Sequence, residues 1–473
     1  MKLNNKLILL ANLLAVNGHF VKRNFFNNHK IDIYKNVVPN SLEQIAKDAS
    51  NGNRVNKLVK STIEFKEPLV DFKQGKYIKV PLDDPFNLSI HCYNQESCGD
   101  YPDKVKKGSY YVANALEFYT PVNVNVTIFP FCNYVSSSNC ESIMGITYPP
   151  TFIPLKETKD SEEFLYPQAL AKQLNIDSGM DYDPVDFLIY LNSSYKPDAD
   201  HDNRALIVTH EILHGLGFFH QINPVSVYIS NYQSLFKDDF AIPPVQYVEE
   251  GTLSKYQGWT PFSIFDKYIV RSTYPNEYLY TKLQRFRDHS MNFEIDSKKT
   301  TKKQYNTFVN KFKELSSDKN AAPGGVEVAK LFKTLNAVGF RTWDGSIIEL
   351  QTFDGVYESA SSISHINAPF LCKNSTSCSS TSKYPDENYL MYFTVINNAS
   401  TDRLISAFKN KSPHDLIGPD VIRILITLGW NEKRSTIVNN NQYSLGSDGH
   451  YNCKVNYLTI LLSFAVLCIT YLI

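Results

Sequence analysis

The chain has 473 residues, enough for two or three domains. Its 48 basic and 48 acidic side chains cancel, so no whole-chain field favours nucleic acid, and neither a basic stripe nor a Gly-rich phosphate loop is present. Aromatic residues make up 13% of the sequence, mostly 30 Tyr and 29 Phe, which supplies the material for a large packed core.

In chain order, residues 1–18 begin with Lys2 and Lys6 and continue into an apolar run from Leu7. That run is too short to span a bilayer and suits a signal peptide. Residues 19–104 are polar and rich in Asn and Lys; they read as a pro-region or a small N-terminal domain. Val122-Asn-Val-Asn-Val-Thr-Ile-Phe alternates apolar and polar residues, the mark of a half-buried strand. Asp186-Phe-Leu-Ile-Tyr-Leu-Asn-Ser is a second, more uniformly apolar strand. The acidic cluster from Asp198 to Asp202 offers carboxylates to a calcium ion, but a solvated helix entry capped by Asp202 is the plainer reading. Lys299 to Lys319 is helical in pattern, with Tyr305, Phe308, Phe312 and Leu315 on one face, and Val326 to Val338 reads as a further short helix.

The far end mirrors the start. Residues 432–456 form a polar stalk, and residues 457–473 are an apolar tail that runs to the last residue. Gly446, Ser447, Asp448 and Gly449 precede the tail by about ten positions, the order expected of a GPI-attachment signal. A single C-terminal transmembrane segment is the alternative, at the lower limit of spanning length. Of eight cysteines, Cys453 and Cys468 follow the attachment point, leaving six. An even set suits an oxidised ectodomain. Six cysteines allow fifteen pairings; proximity points to Cys92–Cys98, Cys132–Cys140 and Cys372–Cys378. Sequons at Asn87, Asn125, Asn192, Asn374, Asn398 and Asn410 agree with passage through the secretory pathway to the cell surface.

The chemistry is concentrated in His210-Glu-Ile-Leu-His-Gly-Leu-Gly-Phe-Phe-His220. Asn203 to Leu216 contains no Pro and is apolar nearly all round, so it predicts a buried helix. On that helix His210 and His214 share a face one turn apart. Zinc accepts such a pair at ~2.0–2.1 Å per nitrogen. Gly217 permits a turn at positive φ, after which His220 can approach as the third ligand. Three neutral imidazoles leave one position open, as in catalytic zinc sites. Glu211, beside the first ligand, is placed to act as general base on a water and to return the proton to the leaving amine.

This extended motif resembles the metzincin clan of zinc metallopeptidases. The resemblance implies an α+β zincin catalytic domain over residues 105–431. It would comprise a twisted mixed sheet with an edge strand, a central active-site helix, and a C-terminal subdomain with a Met-turn and a helix. A long insertion lies at about 221–360. Met391, in Asn-Tyr-Leu-Met-Tyr-Phe, is similar to the turn methionine, and Ser412 to Trp430 to the C-terminal helix. The strand at Asp186 looks like the clan's edge strand, which pairs with extended substrate. Tyr392 follows the methionine directly, one residue early for a catalytic tyrosine, and reads as a core or pocket-wall residue. His365 lies where it could reach the site, but a polar residue of a structured loop is the favoured reading. The expected function is a zinc-dependent endopeptidase with one catalytic Zn2+ and a polypeptide substrate. The alternative is a non-catalytic surface adhesin on the same scaffold.

Overall fold

The computed structural model describes most of residues 82–433, omitting 83, 93–97, 132–142, 159, 175–181, 196, 198, 228–234, 251–252, 297–301, 360, 370, 375–376, 380–384 and 395–399. It also describes an antiparallel hairpin of Ile31–Asn36 with Asn56–Ser61. The predicted signal peptide, residues 434–456 of the stalk, the apolar tail, Asn398, Cys132 and Cys140 lie outside the described residues. Among the described residues no helix is long and apolar enough to cross a membrane. The architecture is mixed α+β, with several open sheets and helices packed against them.

The sheet that positions the site has four strands: β1 (Phe86–Cys92), β2 (Val122–Phe129), β3 (Gly145–Tyr148) and β4 (Phe187–Asn192), in the order β1-β2-β4-β3. The first three neighbours run parallel, and β3 pairs antiparallel to β4. This corrects one expectation. The strand at Asp186 is interior, between β2 and β3, and the edges are β1 and β3. The sequence of β4 does not decide its place, because a nearly continuous apolar run reports cover on the faces of the sheet rather than position in its order. In β2 the alternation holds, with Val122, Val124 and Val126 buried and Asn123 and Asn125 partly exposed between them.

Two helices lie against this sheet. Helix α1 (Tyr101–Ala115) packs along α2 (Arg204–Gly215), closely enough that a Cβ at Gly108 would meet Val208 at 2.7 Å. At the other end of α2, a Cβ at Gly215 would strike the Phe187 ring of β4 at 2.5 Å. Val208, Ile212, Leu213 and Leu216 are wholly buried, so α2 is anchored by its core contacts, as its all-round apolar sequence requires. The N-cap is Asn203 rather than Asp202, and it makes no side-chain cap bond. Asp202 instead accepts from the Arg204 N–H at 3.2 Å and pairs with the Arg204 guanidinium (2.9 Å) and Lys104 (2.8 Å). Its carboxylate is therefore engaged by cationic side chains.

The 221–360 region folds onto the same core. It contains a four-stranded antiparallel sheet of β5 (Ile269–Arg271), β6 (Tyr274–Tyr278), β7 (Val338–Arg341) and β8 (Ile347–Glu349), in the order β6-β5-β7-β8. The two predicted helices are present as α3 (Lys302–Ser317) and α4 (Ala322–Phe332). Phe308, Phe312 and Leu315 are buried as the pattern required. The expected helix end at Val338 is instead the first residue of β7. Helices α5 (Thr401–Phe408) and α6 (Pro419–Leu428) close the described chain. After α6, Gly429 turns at φ 117° and Trp430 donates its indole N–H to the Leu216 carbonyl at 3.0 Å, tying the C-terminal region to the end of α2.

Cys92 and Cys98 form a disulfide, and the hairpin register sets Cys372 opposite Cys378. One sequon is structurally closed. Asn192 is fully buried, its Oδ1 accepting from the Phe131 and Ser194 amides and its Nδ2 donating to Ile143 O, so it is no glycan acceptor in the folded protein.

Asp202 gives a pH test of the packing at the start of α2. Burial opposes ionisation there, but hydrogen bonds from Arg204 and Lys104 outweigh it and hold the carboxyl well below its usual range. A depressed folded pKa means stability that is fully present above the unfolded value of ~3.9 and is lost as pH falls from there through the folded value. In metal-free protein, Asp202→Asn should cost about 1–3 kcal/mol at pH 7 in urea unfolding. The gap from wild type should begin to narrow below about pH 4 and close only well below the usual carboxylate range.

Candidate metal centre

Helix α2 places His210 and His214 on one face, and a loop from the far side of the chain brings His365 against them. The three residues each offer a ligand atom, and these atoms lie within 4.8 Å of one another. The His210 Nε2 is 3.0 Å from His214 Nε2 and 3.2 Å from His365 Nε2. The His365 ring stacks on His210 with centroids 5.1 Å apart, and both stand edge-on to His214.

The opposite nitrogens decide what those three Nε2 atoms are. His210 Nδ1 lies 2.6 Å from Leu390 O, His214 Nδ1 2.7 Å from Phe218 O, and His365 Nδ1 2.9 Å from Ser361 O. A carbonyl oxygen can only accept, so each Nδ1 carries a proton, and a ring in its neutral form then turns an Nε2 lone pair inward. Burial pushes the His210 imidazole down to about 4, against the opposing pull of its Leu390 hydrogen bond. Three lone pairs held neutral and pointed at one spot repel one another, and a shared cation relieves that repulsion. Backbone carbonyls that fix the distal nitrogen are the usual support of metal-bound histidines. The residues therefore fit a divalent metal ion with an all-imidazole set, the chemistry of zinc. Among the described residues this is the only such group.

Position 220 departs from expectation. The structure brings His210 and His214 together with His365, and it does not bring His220 into the group. The helix ends at Gly215, and Gly217, with φ 114°, gives the expected turn. Phe219 then packs on Phe152, with centroids 5.4 Å apart, and the Gln221 N–H is held by Asp266 at 2.9 Å. These anchors carry the chain past the imidazole pair. His220 is buried with Nδ1 2.6 Å from Ser364 Oγ and Nε2 2.6 Å from Tyr357 OH.

Glu211 follows His210 on the same helix and turns its carboxylate to strand β3. Its Oε2 accepts from Thr147 Oγ1 at 2.7 Å, from the edge strand β3. Burial pushes its carboxyl up to about 7, with the Thr147 hydrogen bond opposing. A cation at the three imidazoles would pull that value down again by direct attraction. On the same strand Gly145 makes room for the carboxylate, since a Cβ there would lie 2.6 Å from Glu211 Oε1. Gly145→Ala should therefore displace Glu211. We expect any hydrolytic rate that depends on Glu211 to fall on the order of a hundredfold, with metal content per chain unchanged by atomic emission.

Met391 ends a 3₁₀ turn (Tyr389–Met391) and is fully buried. The residue before it supplies the carbonyl that holds His210, and Met391 O accepts from the Ile366 N–H at 2.8 Å. The turn thus braces both His210 and the His365 loop. Ile363 in that loop has φ 68°, a left-handed conformation costly for a β-branched residue. It is held by a pair of backbone bonds with Gln351, from Ile363 N to Gln351 O and from Gln351 N to His365 O. Tyr392 is buried, and its OH accepts from the Asp386 N–H at 3.3 Å, so it forms part of the wall.

Three site contributors are faint or silent in the sequence. His365 lies 151 and 155 residues downstream of its partners, and its one local signal is its place shortly before Met391. Thr147 and Gly145 have no motif at all; only the pairing of β3 at the sheet edge brings them to Glu211.

A family model described as SPBPB7E8-like matches residues 76–446. The chain belongs to the SPBPB7E8-like family. A Schizosaccharomyces pombe protein, named "Uncharacterized protein PB7E8.01", is 26% identical over 249 residues. That match covers 46% of this chain and 42% of the relative, so the chain spans less than half the length of this curated relative. No solved structure matches the chain.

Proposed function

We propose that this chain is a zinc-dependent endopeptidase of metzincin type, with His210, His214 and His365 as metal ligands and Glu211 as general base. The observation that carries this reading is the convergence of three Nε2 atoms, each backed by a carbonyl at its Nδ1, beside a buried carboxylate. A Zn2+ bound there supplies Lewis acidity, easing the loss of a proton from water and polarising a peptide carbonyl.

The chain's own residues do the rest. Glu211, held by Thr147 and shielded from bulk water, accepts the proton of the attacking water. It then delivers that proton to the departing amine as the C–N bond breaks. Gly145 keeps the carboxylate's approach clear. Among the described residues strand β3 pairs with β4 alone in its sheet, and its other edge suits an extended polypeptide added as a further strand. The Met391 turn and the His365 loop hold the ligands at fixed distances. A non-catalytic adhesin would not require a buried acid supported from a second strand, so the Glu211 arrangement favours the enzyme.

Secretion, with a GPI anchor or a single C-terminal segment, is part of the proposal and rests on the sequence of the two ends. The direct test is proteolysis of an unstructured protein such as casein by the full chain. Chelation should abolish it and Zn2+ should restore it. Proteolysis that persists in the metal-free protein would contradict the reading.

A further inference from the structure

The last histidine of the motif takes no part in the ligand group, yet it is almost completely buried and makes hydrogen bonds with both ring nitrogens. Its partners belong to one segment, residues 357–365, whose end carries His365. The direction of the bond between His220 and Tyr357 follows from Asn223. Asn223 Nδ2 donates to Gln221 O at 3.1 Å, so its Oδ1 is the acceptor facing Tyr357, and the Tyr357 hydroxyl donates to it at 2.9 Å. The same phenol oxygen then accepts from His220 Nε2–H. On the other side of the ring, His220 Nδ1 is hydrogen-bonded to the Ser364 hydroxyl at 2.6 Å. Ser364 Oγ in turn accepts from the His220 backbone N–H at 3.2 Å.

These bonds place a proton on His220 Nε2, the ring nitrogen that faces Tyr357. In His210, His214 and His365 it is Nδ1 that donates, to a backbone carbonyl. The Tyr357 ring also stacks on Phe332 at 5.9 Å, fixing the other end of the cluster to α4. Ser364 is the direct neighbour of His365, in the segment strained at Ile363.

We propose that His220 is a positioning residue for His365: it clamps Ser364 and Tyr357 and so holds the loop that presents the third metal ligand. This rests on the ligand set proposed above. Outer partners of metal ligands typically contribute about 10- to 100-fold in affinity, and the clamp should act within that range.

The test is zinc affinity of the full chain by chelator competition, together with melting temperatures of the metal-free protein. Ser364→Ala removes the hydroxyl that links His220 to the loop. Tyr357→Phe removes the far anchor while keeping the ring stack on Phe332. We expect Ser364→Ala to weaken zinc binding about 10- to 100-fold and Tyr357→Phe to weaken it in the same direction by less. A purely structural role would lower the metal-free melting temperature and leave zinc affinity within twofold of wild type; that result would overturn the proposal. Should Ser364→Ala fail to fold, the affinity of Tyr357→Phe decides by the same criterion. His365→Ala is the control for the ligand set. If it weakens zinc more than either variant while both of those bind normally, only the clamp is refuted. If His365→Ala binds zinc like wild type, the ligand assignment and the clamp fail together.

Discussion

Glu211→Gln should leave zinc bound and remove peptide hydrolysis, with a rate loss on the order of 10²–10⁴. Gln has the size of Glu and can still accept the Thr147 hydroxyl that now reaches Oε2 at 2.7 Å, so the fold and the three imidazoles keep their places. What disappears is the group able to take a proton. The site invests in that group, since burial works against its ionisation and pushes it up to about 7, and β3 gives up a side chain at Gly145 to accommodate it. Zinc content by atomic emission and casein cleavage by the same preparation check both halves of the expectation. Wild-type cleavage by the variant would remove Glu211 from the mechanism.

His365→Ala and His220→Ala should separate cleanly when both are assayed in saturating zinc. Binding at structural zinc sites is worth ~10–16 kcal/mol over four ligands, so one ligand is worth roughly 3 kcal/mol, on the order of a hundredfold in affinity. His365→Ala also leaves a water-filled gap where an imidazole fixed the coordination, and added metal should not restore activity. His220→Ala loses a packed, hydrogen-bonded side chain and so loses stability and some affinity. With zinc in excess it should retain its metal and recover activity to within about tenfold of wild type. The reverse order, with His220→Ala beyond rescue and His365→Ala rescued, would place the third ligand at position 220.

These expectations mark where the sequence was legible. The helix from Arg204 to Gly215, the turn at Gly217 and the strand from Val122 to Phe129 all follow local rules of periodicity and backbone freedom, and the structure contains each of them. The sheet order did not follow from such rules. Strand β4 resembles an edge strand in sequence, but a nearly continuous apolar run reports cover on the sheet's faces and not a place in the strand order. The position of His220 escaped the spacing for a related reason. Spacing shows where a turn is possible but not where packing sends the chain after it, and Phe152 and Asp266 divert residues 219–221 away from the pair. His365 was visible as a histidine near Met391, but only the bonds among Gln351, Ile363, Ile366 and Met391 bring its loop to the helix.

One measurement tests the centre most directly: diffraction from crystals of the wild-type chain at the zinc absorption edge. A single anomalous peak should lie ~2.0–2.1 Å from the Nε2 atoms of His210, His214 and His365, with His220 turned away towards Ser364 and Tyr357. A peak bound by His220 in place of His365, or zinc-loaded crystals with no peak among these rings, would contradict the assignment of this site.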